Sequence, residues 1–329
     1  MDALVTKPID WLSIQLARLS VHKGTAENGQ TAAAEELLQR GDFFSVPVQT
    51  ARDLTFTSDK GFRFTSPIQT PWTENNTVFG KFFPLEKNWQ GYPTIVLLHG
   101  WNAEASYRIL FPYLAWRLNR AGLNAVMIEL PYHSHRKPRG PGAVTNFLSS
   151  DLLHVLHAVR QALADTRALV AWSKEQGTPF LGVWGFSLGA WLTGLLACTE
   201  PEIDSAVLAT PVSRMDRVIE ELGFCRSIRK RLKGVELRLD PLNLISHRPL
   251  LRPESMLLVA CEHDLFAPLE TIEELWLAWN KPVIWRTRQG HISALMSAPV
   301  MERTVKWLAE RANAKMGRSF LVRKFCCLR

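Results

Sequence analysis

Short apolar runs alternate with longer segments of helical periodicity through most of the chain. Six runs are rich in apolar residues and short enough for single strands: residues 94–98, 124–130, 179–184, 204–210, 255–260 and 282–286. Helical patterns separate them, and the longest covers residues 150–174, where apolar side chains recur on one face. Because continuous apolar strands are buried on both faces, this alternation predicts a mostly parallel, doubly wound sheet of the α/β class.

The regions beside these runs have different patterns. Three segments alternate apolar and polar positions and predict antiparallel strands that lead into the sheet: residues 54–57, 62–66 and 77–83. The first helix of the alternating region is predicted to begin at Pro112, because proline suits the first position of a helix, and to end at Gly122. Residues 211–253 form a helical, basic insertion, which we expect to act as a short lid over the strand ends.

The N-terminal region is predicted to be helical. Ile9, Leu12, Leu16 and Leu19 recur at helical spacing and form one apolar stripe, and a second short helix is predicted at residues 31–40. We expect both helices to pack against the body of the domain. A subunit interface or a peripheral membrane contact is the alternative.

These patterns divide the chain into three parts. Residues 1–50 form an N-terminal helical extension, residues 51–312 the main domain with its insertion, and residues 313–329 a basic C-terminal tail. The tail ends in Cys326-Cys327-Leu328-Arg329, which is a poor match to a prenylation signal because the last residue is arginine. Residues 318–329 are therefore predicted to be a disordered end.

The composition is that of an ordinary globular protein, 47% hydrophobic and 21% charged, and no apolar run approaches the ~18 residues of a membrane span. The net charge of +8 is spread over many segments, so no nucleic-acid partner is predicted. The first residues lack a charged leader followed by an apolar core, which favours a cytoplasmic protein. The 5 cysteines are an odd number without zinc-type spacing, so we expect reduced thiols and neither a metal nor a cofactor.

The sequence Gly185-Phe186-Ser187-Leu188-Gly189 lies between a predicted strand and a predicted helix. A Gly-x-Ser-x-Gly segment in that setting forms a sharp turn, whose glycines let strand and helix approach while the serine is strained and exposed. The first amides of the helix, led by that of Leu188, point towards any oxyanion that forms at the serine. Ser187 is therefore a candidate nucleophile.

A carboxylate and a histidine follow in later loops. Asp264 lies in the loop after residues 255–260, with Asp240 and Glu262 as competing acids, and His291 lies in the loop after residues 282–286. A serine hydroxyl is a weak nucleophile until a base takes its proton, and a histidine held by a carboxylate is suited to that task.

Together these motifs resemble the α/β-hydrolase superfamily over roughly residues 50–312, where serine, acid and histidine follow in this order. The resemblance implies a catalytic triad of Ser187 as nucleophile, His291 as general base and acid, and Asp264 as the orienting acid. His99-Gly100-Trp101 is similar to the segment that supplies a second oxyanion amide. The resemblance thus implies an oxyanion hole made by the backbone N–H groups of Trp101 and Leu188.

The expected function is hydrolysis of a small-molecule carboxylic ester through an acyl-enzyme. Phe186, Trp191, Leu222 and Phe224 are expected to wall an apolar pocket for uncharged, moderately hydrophobic acyl groups. Two alternatives stay open: a binding protein that kept the fold without turnover, and a membrane-associated lipase.

Overall fold

A computed structural model of the protein describes residues 2–22, 30–40, 43–44, 46, 48–57, 59–233 and 238–317. In these ranges one sheet contains β1 (Thr55–Phe56), β2 (Gly61–Thr65), β3 (Thr77–Phe83), β4 (Thr94–Leu98), β5 (Asn124–Ile128), β6 (Leu181–Phe186), β7 (Ser205–Ala209), β8 (Met256–Cys261) and β9 (Val283–Thr287). The predicted disordered tail lies outside the described residues from residue 318 onwards.

Helices connect and flank the strands. They are α1 (Ala3–Ala17), α2 (Gln30–Gln39), α3 (Glu104–Arg120), α4 (Leu152–Glu175), α5 (Leu188–Thr199), α6 (Met215–Glu221), α7 (Arg226–Leu232), α8 (Leu269–Ala278), α9 (His291–Met296) and α10 (Ala298–Met316). Helices α6 and α7 lie between β7 and β8, in the predicted insertion. None of the helices in the described ranges is both long and apolar enough to cross a membrane.

The strands lie in the order β1-β2-β3-β5-β4-β6-β7-β8-β9. The first three strands and the β3–β5 pair are antiparallel, whereas all pairs from β5 to β9 are parallel. The predicted mostly parallel sheet with leading antiparallel strands is confirmed. Every residue of β4 to β8 is buried, because helices cover both faces of the sheet.

The predicted start of α3 at Pro112 is wrong, because the helix begins at Glu104 and contains Pro112 in its interior. Proline has no N–H to donate to the carbonyl four residues earlier, that of Arg108, which lies on the exposed side of the helix. Tyr107 and Phe111 are buried against the sheet, so tertiary packing outweighs the local cost of the proline.

Helix α1 forms where the sequence predicts it, but its apolar stripe faces away from the domain. Leu12 and Leu16 of the stripe are 53% and 56% exposed. The buried face consists instead of Thr6, Asp10, Ile14 and Ala17. The two polar residues are completely buried, which requires partners for them inside the fold.

Candidate active site

Ser187 occupies a strained turn between β6 and α5. Its φ of 55° and ψ of −116° lie outside the usual regions for a residue with a side chain, and such strain is characteristic of functional sites. A Cβ atom at Gly185 would lie 2.1 Å from the carbonyl oxygen of Gly189, and one at Gly189 would lie 2.1 Å from that of Leu98. Both glycines are therefore needed to let the helix start directly against the strands.

The three side chains named from the sequence meet in one hydrogen-bonded chain. The hydroxyl of Ser187 lies 2.7 Å from His291 Nε2, and His291 Nδ1 lies 2.8 Å from Asp264 Oδ2. The other carboxylate oxygen of Asp264 accepts from the amides of Phe266 and Ala267, both at 2.8 Å. Nδ1–H therefore donates to the carboxylate, which leaves Nε2 as the acceptor for the serine proton.

The competing acids lie elsewhere. Glu262 is exposed, and Asp240 pairs with Arg238 at the surface with an N–O distance of 3.6 Å. Of the three acids considered, only Asp264 reaches the histidine. Burial lowers the pKa of His291, but the carboxylate of Asp264, its hydrogen bond and the charge of Asp10 outweigh burial and hold that pKa above its usual value.

A loop held by two neutral histidines carries Trp101. His99 Nδ1–H donates to the carbonyl oxygen of Gly100 at 2.7 Å, while its Nε2 accepts from the amide of Leu130 at 3.1 Å. Burial lowers the pKa of His99 to about 3 and that of His133 to about 4, so both rings are neutral. The carbonyl of Gly100 shares a peptide plane with the N–H of Trp101, so His99 fixes the direction of that N–H.

The backbone amides of Trp101 and Leu188 are the candidate oxyanion donors. In the described part of the chain neither N–H donates to a protein acceptor, whereas the next amide along, that of Asn102, donates to His133 Nε2 at 3.3 Å. Leu188 is the first residue of α5, so its N–H is one of the four that a helix leaves without an internal partner. Both donors are available to a bound group.

Asp10 of α1 completes the site from the N-terminal side, which the sequence analysis missed. Its Oδ2 accepts from the amides of His291 at 2.7 Å and Leu265 at 3.2 Å, and its Oδ1 accepts from the amide of Ile292 at 3.0 Å. Gly290 precedes α9 and has no side chain to cap it. Asp10 therefore acts as the N-terminal cap of the helix that carries His291, from 281 residues away.

The same contact explains the glycine before His291. A Cβ atom at Gly290 would lie 2.8 Å from Asp10 Oδ2, so a larger residue would displace the carboxylate. One turn earlier in α1, the hydroxyl of Thr6 lies 3.0 Å from Nδ1 of His263, next to Asp264. Helix α1 thus contacts both loops that supply the candidate acid and base.

A cavity of about 290 Å³ opens beside Ser187. Phe186, Trp191, Leu222 and Phe224, the four residues expected from the sequence, all lie on its wall. Other apolar side chains come from elements that the sequence analysis did not connect with the site: Leu16 and Ala17 of α1, and Leu152, Val155, Leu156 and Val159 of α4. The cavity is near the lower end of the range of about 300–1,000 Å³ for small-molecule sites.

In the described ranges no three His, Cys, Asp or Glu side chains come together to hold a metal ion. The histidines near residues 132–135 are engaged within the fold. His133 Nδ1 bonds to the carbonyl of Pro131 at 2.8 Å, and His135 pairs with Glu129 at 2.9 Å.

The fold agrees with a family model. The chain belongs to the α/β hydrolase family, whose model matches residues 95–322. The protein is 31% identical over 221 residues to uncharacterized proteins from two strains of Mycobacterium tuberculosis, covering 63% of this chain and 52% of theirs. The chain therefore spans about half the length of the curated relatives it matches.

Solved structures share the fold at low identity. An esterase from Pyrococcus furiosus is 17% identical, with a TM-score of 0.53 over 80% of this chain and 96% of its own. An acetyl xylan esterase from Thermoanaerobacterium is 15% identical, with a TM-score of 0.57 over 90% of this chain and 98% of its own. These likenesses establish the architecture.

Proposed function

We propose that the protein is a serine hydrolase that cleaves a carboxylic ester through an acyl-enzyme, with Ser187, His291 and Asp264 as its catalytic triad. The observation that carries the proposal is the hydrogen-bonded chain of these side chains, which ends on a strained serine beside an apolar cavity. The family membership and the esterases among the structural neighbours support the same reaction class.

In the acylation step, the hydroxyl oxygen of Ser187 attacks the ester carbonyl carbon while Nε2 of His291 takes its proton. The carbonyl oxygen becomes an oxyanion, which the N–H groups of Trp101 and Leu188 stabilise together with the positive end of α5. When the intermediate collapses, the C–O bond to the leaving alcohol breaks, and the imidazolium returns its proton to that alcohol.

Deacylation repeats the sequence with water. His291 takes a proton from a water molecule, whose oxygen attacks the acyl carbon, and a second oxyanion occupies the same pair of amides. Collapse of this intermediate breaks the bond to Ser187 Oγ, which recovers its proton from the imidazolium. Asp264 holds the ring orientation and stabilises its charged form in both halves of the reaction.

The cavity suggests the class of acyl group. Its wall next to Ser187 is built mainly from aromatic and aliphatic side chains, which give a charged acyl group no partner for its charge. We therefore propose uncharged, moderately hydrophobic acyl groups, such as those of short aryl esters. A preference for charged or very bulky acids would contradict this assignment.

The test is intact-mass analysis after exposure to a fluorophosphonate. The parent should gain one phosphonyl group, S187A should gain none, and H291A should react at least ~1,000-fold more slowly because the serine has lost its base. S297A is the matched control, since Ser297 lies outside the cavity wall and its side chain caps no helix. A folded parent that resists labelling would refute the proposal and favour a binding protein without turnover.

A further inference from the structure

The outward side of α1 is an unusually apolar surface. Of the 14 large hydrophobic side chains that are exposed in the described residues, 6 fall within residues 4–19: Leu4, Val5, Trp11, Leu12, Leu16 and Leu19. The five within α1 lie on one arc of about 140° around the helix axis. We call this set the outer face of α1; Leu4 and Leu19, at its ends, are 83% and 85% exposed.

The helix cannot turn this face inwards without losing contacts at the candidate active site. Its opposite side is fixed by the three hydrogen bonds that Asp10 accepts and by the bond between Thr6 and His263. Rotation of the helix would leave these buried amides without acceptors, which is unfavourable. The apolar outer face is therefore a stable feature of the folded protein.

Basic side chains border the outer face. Lys7 is exposed on α1, and Arg18 is exposed directly after the end of α1. Ile14 and Ala17 of α1 share a small hydrophobic cluster with Ile228 of α7.

Helix α7 also presents exposed cations. Arg226 and Lys230 are exposed and form no ion pair with any other described residue. With a net charge of +8, the whole chain favours an anionic occupant. A second copy of the chain would bring two such basic surroundings together, so charge opposes self-association through this face.

We propose that the outer face of α1 docks on an anionic lipid surface, with α1 lying in the plane of the interface and the basic residues of α7 on the headgroups. Apolar anchors flanked by Lys and Arg are the features that hold amphipathic helices at such interfaces. Leu16 of the outer face also lines the cavity, so docking would bring this part of the cavity wall to the lipid surface. The proposal goes beyond ester hydrolysis and does not depend on it.

The test is co-sedimentation of the full chain with vesicles. The parent should sediment with mixed phosphatidylglycerol–phosphatidylcholine vesicles and much less with pure phosphatidylcholine. The W11S/L12S variant removes two anchors and should bind the mixed vesicles more weakly by on the order of 100-fold. The R226Q/K230Q variant removes two charges and should weaken binding by about tenfold or more.

Matched variants separate these effects from general changes in the surface. I109S/L277S removes two side chains that are 68% and 60% exposed on α3 and α8, and it should bind as the parent does. K87Q/R252Q removes two exposed cations away from α1 and α7, and should likewise bind as the parent does. Circular dichroism checks that each variant is folded, which is expected because every changed side chain is on the surface.

Three results would overturn the proposal. The first is a folded parent that fails to bind either vesicle, and the second is equal binding to anionic and neutral vesicles. The third is W11S/L12S binding as tightly as the parent. If the parent does not bind vesicles but forms a concentration-dependent dimer, and W11S/L12S abolishes that dimer, then a second copy of the chain covers the outer face. Labelling by the fluorophosphonate is independent of all these results, so failure of one proposal leaves the other intact.

Discussion

Replacing Asp10 by asparagine removes one charge behind the candidate active site while keeping the size of the side chain. The amide oxygen can take the place of Oδ2 and still accept from His291 and Leu265. The amide nitrogen then faces the N–H of Ile292 and cannot accept from it. D10N therefore keeps two of three hydrogen bonds and loses one acceptor and the charge.

The magnitudes follow from those two losses. One buried N–H without an acceptor lowers the unfolding free energy by about 1–3 kcal/mol, and D10A, which leaves all three N–H groups without an acceptor, should lower it by about 3 kcal/mol or more. Asp10 is one of the charges that raise the pKa of His291, so its removal should lower that pKa. General loosening would act in the opposite direction, because relief of burial raises a histidine pKa.

The assay is the rate of fluorophosphonate labelling as a function of pH. Only neutral His291 can take the serine proton, so the parent rate should rise with pH through a pKa above the ordinary histidine value of 6.5. In D10N the rise should move to lower pH, and the plateau should fall by about tenfold because the loop is less well held. D53N is the control, since Asp53 accepts two hydrogen bonds from Thr65 at the other end of the sheet.

A D10N profile that coincides with that of the parent would refute the argument that Asp10 acts on His291. A profile displaced to higher pH would refute it as well, since it would indicate exposure of the ring and no electrostatic role for Asp10. D53N should leave both the plateau and the pH dependence unchanged.

Two further changes test the fold around the site. G189A places a Cβ atom 2.1 Å from the carbonyl oxygen of Leu98, a backbone atom that cannot move away. Urea unfolding should therefore show a free energy of unfolding that is lower by about 2 kcal/mol or more, and the fluorophosphonate should no longer label the protein. R136M breaks the completely buried pair with Asp165, whose N–O distance is 2.7 Å, and thermal unfolding should show a loss of about 3–5 kcal/mol. R238M, at an exposed ion pair, should change stability by less than about 0.5 kcal/mol; equal effects of R136M and R238M would contradict the role of burial.

The sheet could be predicted because its information is local. Each buried strand is a continuous apolar run, and each run is followed by a helical pattern. The succession of strands and helices along the chain and the α/β fold class therefore follow from the sequence. The boundary of α3 could not be predicted, because Pro112 gives a strong local signal for a helix start. The burial of Tyr107 and Phe111, which carries the helix past it, depends on a sheet formed by distant segments.

The residues of the candidate triad could be predicted for the same reason. Ser187, Asp264 and His291 each lie in a short motif after a strand, and parallel strands bring their carboxyl ends to one edge of the sheet. Asp10 has no such motif. Its partners are 255 to 282 residues away, and nothing in the neighbouring sequence indicates that a helix must be capped there.

The apolar stripe of α1 lies on the outside of the domain, and the contacts of Asp10 explain why. Pattern analysis assumes that the apolar side of a helix is the buried side, because burial of apolar area is the main favourable term. Here the buried side is selected by polar groups: the first amides of α9 lack a cap, and Asp10 supplies it. A helix that is fixed inwards by hydrogen bonds keeps its leucines and Trp11 on the outside, where only a partner can bury them. The requirement at the candidate active site and the apolar outer face are thus two consequences of one packing arrangement.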